Sequence, residues 1–424
     1  MTTSVPTPDN PHPGMGFRQF VAFIAALMAT NAIAIDSMLP ALPEIGHALH
    51  IDTANHTQIV ITAYLLGFGG AQIIYGTLAD RFGRRVVLLA GLAIYTAASV
   101  AAYFAGSLEV MMVARAVQGI GSAATRILAI TIVRDCYHGR QMARVMSLAF
   151  IVFLAVPIAA PSIGQIIMLA APWRAIFLML CVFGVVLFCW TALRLPETLD
   201  PEDRTPISIR GVSHAFALVL RSRITVGYMC AMTMVMGGLF GFINSAQQVF
   251  ADAFDAKELF TLVFAIVAAF MALSSLLNSR VVEKLGMRRV SHAALLGYLS
   301  ITLVHAGVVI AGWENIWSFS VLQAAMMFFF GLMVSNFNAM AMEPVGHVAG
   351  TASSVLGFCS TVGGATLGFI IGQHFDGTTL PLTFGFAALG TAALVFVLIA
   401  ERGRLFGTSS TAIRQAAVPV VADD

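Results

Sequence analysis

The sequence predicts an all-α membrane protein: twelve transmembrane helices in two pseudo-symmetric six-helix bundles. Three observations carry that reading. First, 58% of the 424 residues are hydrophobic, 10% are charged and the mean hydropathy is +0.87. A soluble domain carries about 25% charged residues, so this chain has too few polar groups to cover a water-facing surface. Second, apolar stretches near the length needed to cross a bilayer recur twelve times. Third, a short charged turn returns in each half. Asp80-Arg81-Phe82-Gly83-Arg84-Arg85 aligns with Glu283-Lys284-Leu285-Gly286-Met287-Arg288, 203 positions later. Internal repeats of this kind place a binding site at the interface between the halves.

Residues 1–16 are rich in Pro and polar groups and read as a disordered tail. The first apolar stretch, 19–42, is too long for a signal-peptide core and is taken as a retained helix. The others fall at 57–78, 86–106, 109–133, 143–168, 172–193, 223–248, 258–280, 288–312, 315–340, 344–374 and 379–400. The long stretch at 344–374 has room for a short turn outside the membrane. The expected organisation is a bundle at 17–194, a polar linker at 195–221, a second bundle at 222–402 and a tail at 403–424. Arg and Lys sort strongly between alternate connections. Nineteen of the 23 lie on the side of the linker and both termini, and only Arg174 and Lys257 lie on the other. That bias predicts an inner (cytoplasmic) membrane protein with both termini in the cytoplasm.

Arg115 and Arg126 fall inside a predicted helix, the fourth. Eleven steps of about 100° leave a rotation of about 20°, so Arg115, Ser122 and Arg126 share one face. A guanidinium at mid-membrane costs about 3 kcal/mol on the insertion scale, so each must line a cavity or find partners. Backbone carbonyls would serve as such partners for a purely structural arginine. Asp36, near the far end of helix 1, is the only acid placed well inside a span. At about 1.5 Å per residue, Asp36 and Arg115 sit at matching depth and can meet across the bundle. An acid at a helix end facing the membrane interface is the plainer alternative for Asp36.

These features resemble the major facilitator superfamily, and more narrowly the Bcr/CflA group of drug:proton antiporters, over about residues 17–402. Gly76–Arg85 matches the family's turn between helices 2 and 3. The resemblance implies a conformational latch formed by Gly76, Asp80, Arg81, Gly83, Arg84 and Arg85, with Glu283, Gly286 and Arg288 as the second copy. A simple positively charged anchor is the alternative. Arg115-Ala116-Val117-Gln118-Gly119-Ile120-Gly121 resembles the family's R-x-x-Q-G-x-G segment, implicated there in proton coupling. Asp36, followed by Leu39-Pro40-Ala41-Leu42-Pro43, resembles a family acid before L-P-x-L-P. Helix 5 keeps Pro161 and Gly164 of the antiporter motif G-P-x-x-G-G, but has Ala160 for the first Gly and Gln165 for the last. With Pro157, this is a candidate hinge packing on helix 8 or 11. Helix 11 offers Gly363, Gly364 and Gly368 as a small-residue seam.

The expected function is proton-coupled multidrug efflux of small amphipathic compounds. Asp36 would take the proton and Arg115 would compete with it for the carboxylate. A specific sugar or amino-acid exporter or facilitator of the same fold is the alternative. Asp36, Arg115, Gln118, Ser122, Arg126, Phe240, Asn244, Gln247 and Asn336 are the candidate cavity residues. Helices 7 and 10 are rich in Met and Phe, which suits promiscuous ligands, with ordinary packing or lipid-facing positions the better reading for most of them. His305 is read as structural. The five cysteines have no metal-ligand spacing. No nucleotide-binding loop, zinc motif or nucleophile elbow is found, so no enzyme activity, metal or cofactor is expected. The expected partners are the small-molecule substrate, protons and the lipid bilayer, with no nucleic acid, and the chain is expected to act as a monomer.

Overall fold

A computed structural model describes residues 14–204 and 209–407. Most of the N-terminal tail, the C-terminal tail beyond residue 407 and part of the linker lie outside the described residues. Among the described residues, twelve helices are long and apolar enough to cross a membrane. They are α1 (Phe17–Asp36), α2 (Ile59–Phe82), α3 (Arg84–Tyr103), α4 (Leu108–Cys136), α5 (Gly139–Ala170), α6 (Arg174–Arg194), α7 (Arg223–Gln248), α8 (Phe260–Leu285), α9 (Met287–Ile310), α10 (Ile316–Met342), α11 (Gly350–Gln373) and α12 (Leu380–Ala400). No strand occurs among the described residues. Large apolar side chains such as Ile74, Val113, Leu169, Leu178 and Leu303 stand exposed around the outside. A lipid solvent stabilises such a surface, and internally bonded helices leave no backbone group unpaired within it.

The helices α1–α6 pack as one bundle and α7–α12 as a second. Most predicted stretches match the helices to within about five residues, but the first, 19–42, overruns α1. The helix stops at Asp36, and a 3-10 turn at Leu39–Ala41 and a short helix at Leu42–Ala48 follow, so Asp36 stands at a helix end rather than well inside one. The 344–374 stretch divides as the sequence allowed. A tight turn at Glu343–Val348, non-helical at Val345, precedes α11. Within α11, a single π-helical turn at Cys359–Gly363 interrupts the α geometry. The connection between bundles carries a helix, Ile209–Arg221, to which the sequence reading gave no structure. The two proposed hinge prolines, Pro157 and Pro161, lie inside one continuous helix, α5.

Local chemistry explains several ends. Ser107 caps α4 by accepting from the Val110 amide, and Ser222 caps α7 by accepting from Thr225. Asn315 and Ser318 close a reciprocal capping box at the start of α10. At Gly83 (φ 96°) and Gly286 (φ 82°) the chain turns from one membrane helix directly into the next. This backbone region is essentially closed to side chains, which is why the charged turn keeps its Gly in both copies.

Candidate functional site

Arg115 lies in the middle of the first bundle with no exposed surface. Its guanidinium donates to the Val60 carbonyl (3.2 Å), the Ala34 carbonyl (3.0 Å) and Gln118 Oε1 (2.6 Å). The Tyr64 ring covers it at 4.5 Å. Gln118 passes the network on by donating to Ser99 Oγ at 2.7 Å. Arg115 therefore joins α1, α2 and α4 through backbone carbonyls in this conformation. Asp36, the last residue of α1, is 5% exposed. Its carboxylate makes no hydrogen bond or ion pair among the described residues. The guanidinium bonds α1 two residues before Asp36, beneath the Tyr64 ring. The pair shares a neighbourhood without the direct contact that matching depth allowed.

Ser122 is fully buried, and its hydroxyl is unpartnered among the described residues. Arg126, one turn on, is exposed. It follows the lipid-facing Val117 by nine residues, a rotation of about 180°. Its face of α4 thus points away from lipid and becomes accessible toward the end of the bundle where the linker lies. Phe240 and Gln247 on α7 are half-buried, and Asn244 is 1% exposed. Asn336 is used inside the second bundle: its amide donates to Asn278 Oδ1 (2.8 Å) and to the Leu332 carbonyl (2.8 Å).

The opposite end of the molecule, the far end, is closed by carboxamides. Gln58 donates to Gln248 Oε1 and to the Gly372 carbonyl (3.2 Å). Gln248 donates to Asn55 Oδ1 (2.8 Å), Asn55 to the Phe375 carbonyl (2.8 Å), and Gln373 to the Asn55 carbonyl (2.6 Å). All of these bonds cross between the bundles. A Cβ on Gly372 would stand 1.8 Å from Gln58 Oε1, so only Gly lets α11 approach this closely. Gln165, where the chain departs from the antiporter motif, accepts from Thr261 of α8 at 2.6 Å. The departure thus supplies another cross-bundle bond. Gly164 lets α5 approach the backbone of Ser37. The Gly364 and Gly368 seam of α11 packs on α7.

Both charged turns are tied within their own bundles. Arg84 pairs with Asp80 (2.6 Å) and Asp135 (3.0 Å). Glu197 accepts from the Arg84 and Arg85 amides at 2.7 and 3.2 Å, which places a carboxylate on the N-terminus of α3. In the second bundle Arg288 pairs with Glu401 (2.8 Å) and Glu343 (3.2 Å). Tyr228 donates to Glu401 at 2.8 Å. Across the bundles, Gly76 of the first turn lies against Ser354 of α11. Sequence reasoning missed Asp135, Glu197, Glu343 and Glu401. The repeat that revealed the turns also pairs these carboxylates, one at the end of α4 and of α10, one just after α6 and α12. His305, read as structural, bonds Glu314 at 2.7 Å, and Glu314 also accepts from Thr379.

A duplicated twelve-helix bundle with buried charge near its centre defines a multi-pass membrane carrier. The chain belongs to the Major Facilitator Superfamily, whose family model matches residues 20–368. It is 27% identical over 385 residues to a bicyclomycin resistance protein homolog of Haemophilus influenzae, covering 89% of this chain and 94% of that protein. It is 31% identical over 350 residues to a chloramphenicol resistance protein of Pseudomonas aeruginosa, covering 80% and 79%. The crystal structure of a D-xylose-proton symporter superposes with a TM-score of 0.71 at 13% identity, covering 91% and 98%. At that identity the likeness shows the fold alone.

Proposed function

We propose that this protein exports small, mainly uncharged amphipathic compounds, antibiotics among them, across the inner membrane in exchange for protons. The observation that carries the reading is Asp36. It is a buried carboxylate at the far end of α1, inside a membrane bundle, without an ion-pair partner among the described residues. An ionisable group so placed is functional by default, because burial without a use is costly. Asp36 takes the proton. Arg115, held next to α1 by the Ala34 carbonyl, supplies the alternative counter-charge when the bundles move.

The excess of Arg and Lys supports a cytoplasmic linker end. The carboxamide bonds then close the outer end, and the accessible face of α4 at Arg126 opens toward the cytoplasm, where substrate enters. Resistance proteins named for two chemically different antibiotics, and the Met- and Phe-rich helices α7 and α10, support breadth of substrate. Arg126 and Arg115 disfavour permanently cationic cargo. The charged turns act as latches in the opposite access state, while in this one they brace each bundle. Each net charge moved adds about 2.3 kcal/mol per 100 mV to the driving force.

The test is transport in inside-out vesicles with chloramphenicol as cargo. A proton gradient should drive uptake by wild-type protein, and Asp36→Asn should abolish that uptake while keeping gradient-free counterflow. Gradient-driven uptake that survives Asp36→Asn would sink the assignment.

A further inference from the structure

The repeat extends past the charged turns into the core. Tyr95 recurs as Tyr298 and Ser99 as Thr302, both 203 positions on. Gln118 recurs as Met326, 208 positions on. The bond from Gln118 to Ser99 has its counterpart in Thr302 donating to Met326 Sδ at 3.2 Å. The same 208-residue step carries Asp36-Ser37 to Asn244-Ser245, and Arg115 to Gln323. The charged pair of the first bundle is thus matched in the second by two carboxamides.

Those carboxamides are conspicuous for what they bond. Asn244 is 1% exposed and Gln323 is 0% exposed. The oxygen and the nitrogen of both side chains are buried without a hydrogen-bond partner among the described residues. A buried polar group left unpaired keeps its full desolvation cost, so these four atoms call for a use. Asn244 stands one helical turn before Gln248, on the same face of α7. Gln248 reaches across to Asn55 and Gln58 of the first bundle. That face of α7 therefore meets the first bundle, directly beneath the outer closure. Helix α10, which carries Gln323, packs against α7.

We infer that Asn244 and Gln323 are substrate-recognition residues of the second bundle, the uncharged counterparts of Asp36 and Arg115. They accept and donate to a neutral hydrogen-bonding group of the cargo, such as an amide or a hydroxyl beside a carbonyl. The inference rests on the export reading above and divides its labour: the first bundle handles the proton, the second reads the substrate.

The experiment is equilibrium binding of radiolabelled chloramphenicol, a neutral amide with free hydroxyls, to the full chain in lipid nanodiscs. Asn244→Leu and Gln323→Met remove the amides with little change of volume. Each should weaken binding at least tenfold. Each should also leave the melting temperature of the ligand-free protein unchanged or raised, because an unsatisfied buried group has been removed. A lowered melting temperature in both variants would show that the amides hold the fold, and would overturn the inference. Binding by wild-type protein with unchanged affinity in both variants overturns this inference alone. Wild-type protein that binds no chloramphenicol overturns it together with the export of this class. Proton coupling is read separately through Asp36→Asn.

Discussion

The two ends of the molecule are held by different chemistry. At the linker end, guanidinium and carboxylate groups join helices of the same bundle: Arg84 with Asp80 and Asp135, Arg288 with Glu343 and Glu401. At the far end, uncharged amides join one bundle to the other. Charge-assisted bonds are about twice as strong as neutral ones. Neutral amide bonds exchange readily with water, at a net of about 1 kcal/mol each. A carrier that rocks two rigid bodies needs this division. The bodies must not deform, and the interface between them must open and close at small cost.

The largest expected effect comes from breaking a bundle from within. Arg84 is 4% exposed and faces two carboxylates. Arg84→Ala leaves the partly buried Asp135 without its cation, and up to about 3 kcal/mol of stability should be lost, with part of that returned because Asp135 keeps some exposure and Asp80 is half exposed. A fall of several degrees in the detergent melting temperature is expected. An unchanged value would break the view that these pairs brace the bundle.

The two glycine turns sharpen the comparison further. Gly83→Ala and Gly286→Ala share a forbidden backbone region, at about 1–3 kcal/mol each. The Gly83 variant should be the worse of the two. Its Cβ would meet Glu197 Oε2 at 2.4 Å, whereas nothing lies within 4 Å of one on Gly286. Equal melting temperatures for the two variants would contradict the role given to Glu197.

The smallest effect on stability, and the clearest on conformation, is expected at the far end. Gln58→Leu should change the melting temperature little while letting the far end open. Spin labels at Glu44 and Glu258, in a chain cleared of its native cysteines, should report a longer distance population. An unchanged distance distribution would remove the amides from the gate.

Much of this fold could be read from the sequence, because a membrane span needs only length and apolarity. The twelve stretches, the mid-chain connection and both charged turns all follow from that rule and from the repeat. The site was less legible. Helical periodicity put Arg115, Ser122 and Arg126 on one face. It could not say that the face is packed at Arg115 and open at Arg126, which depends on how two bundles meet. Depth alone brought Asp36 and Arg115 together, while the guanidinium satisfies itself on backbone carbonyls that carry no sequence signature. Asn55, Gln58, Gln248 and Gln373 look like ordinary helix-end amides until two distant segments are placed side by side. Gln323 does carry a sequence signal, because the repeat extends from the turns into helices 4 and 10 and sets it at the position of Arg115.

Asp36 is the group proposed to exchange a proton for cargo. The most direct test is proton release from purified protein in weakly buffered detergent solution when chloramphenicol is added. Wild-type protein should release protons in proportion to the drug it binds, and Asp36→Asn should bind the drug and release none. Release from Asp36→Asn equal to that of wild type would contradict the claim and move the proton to another residue.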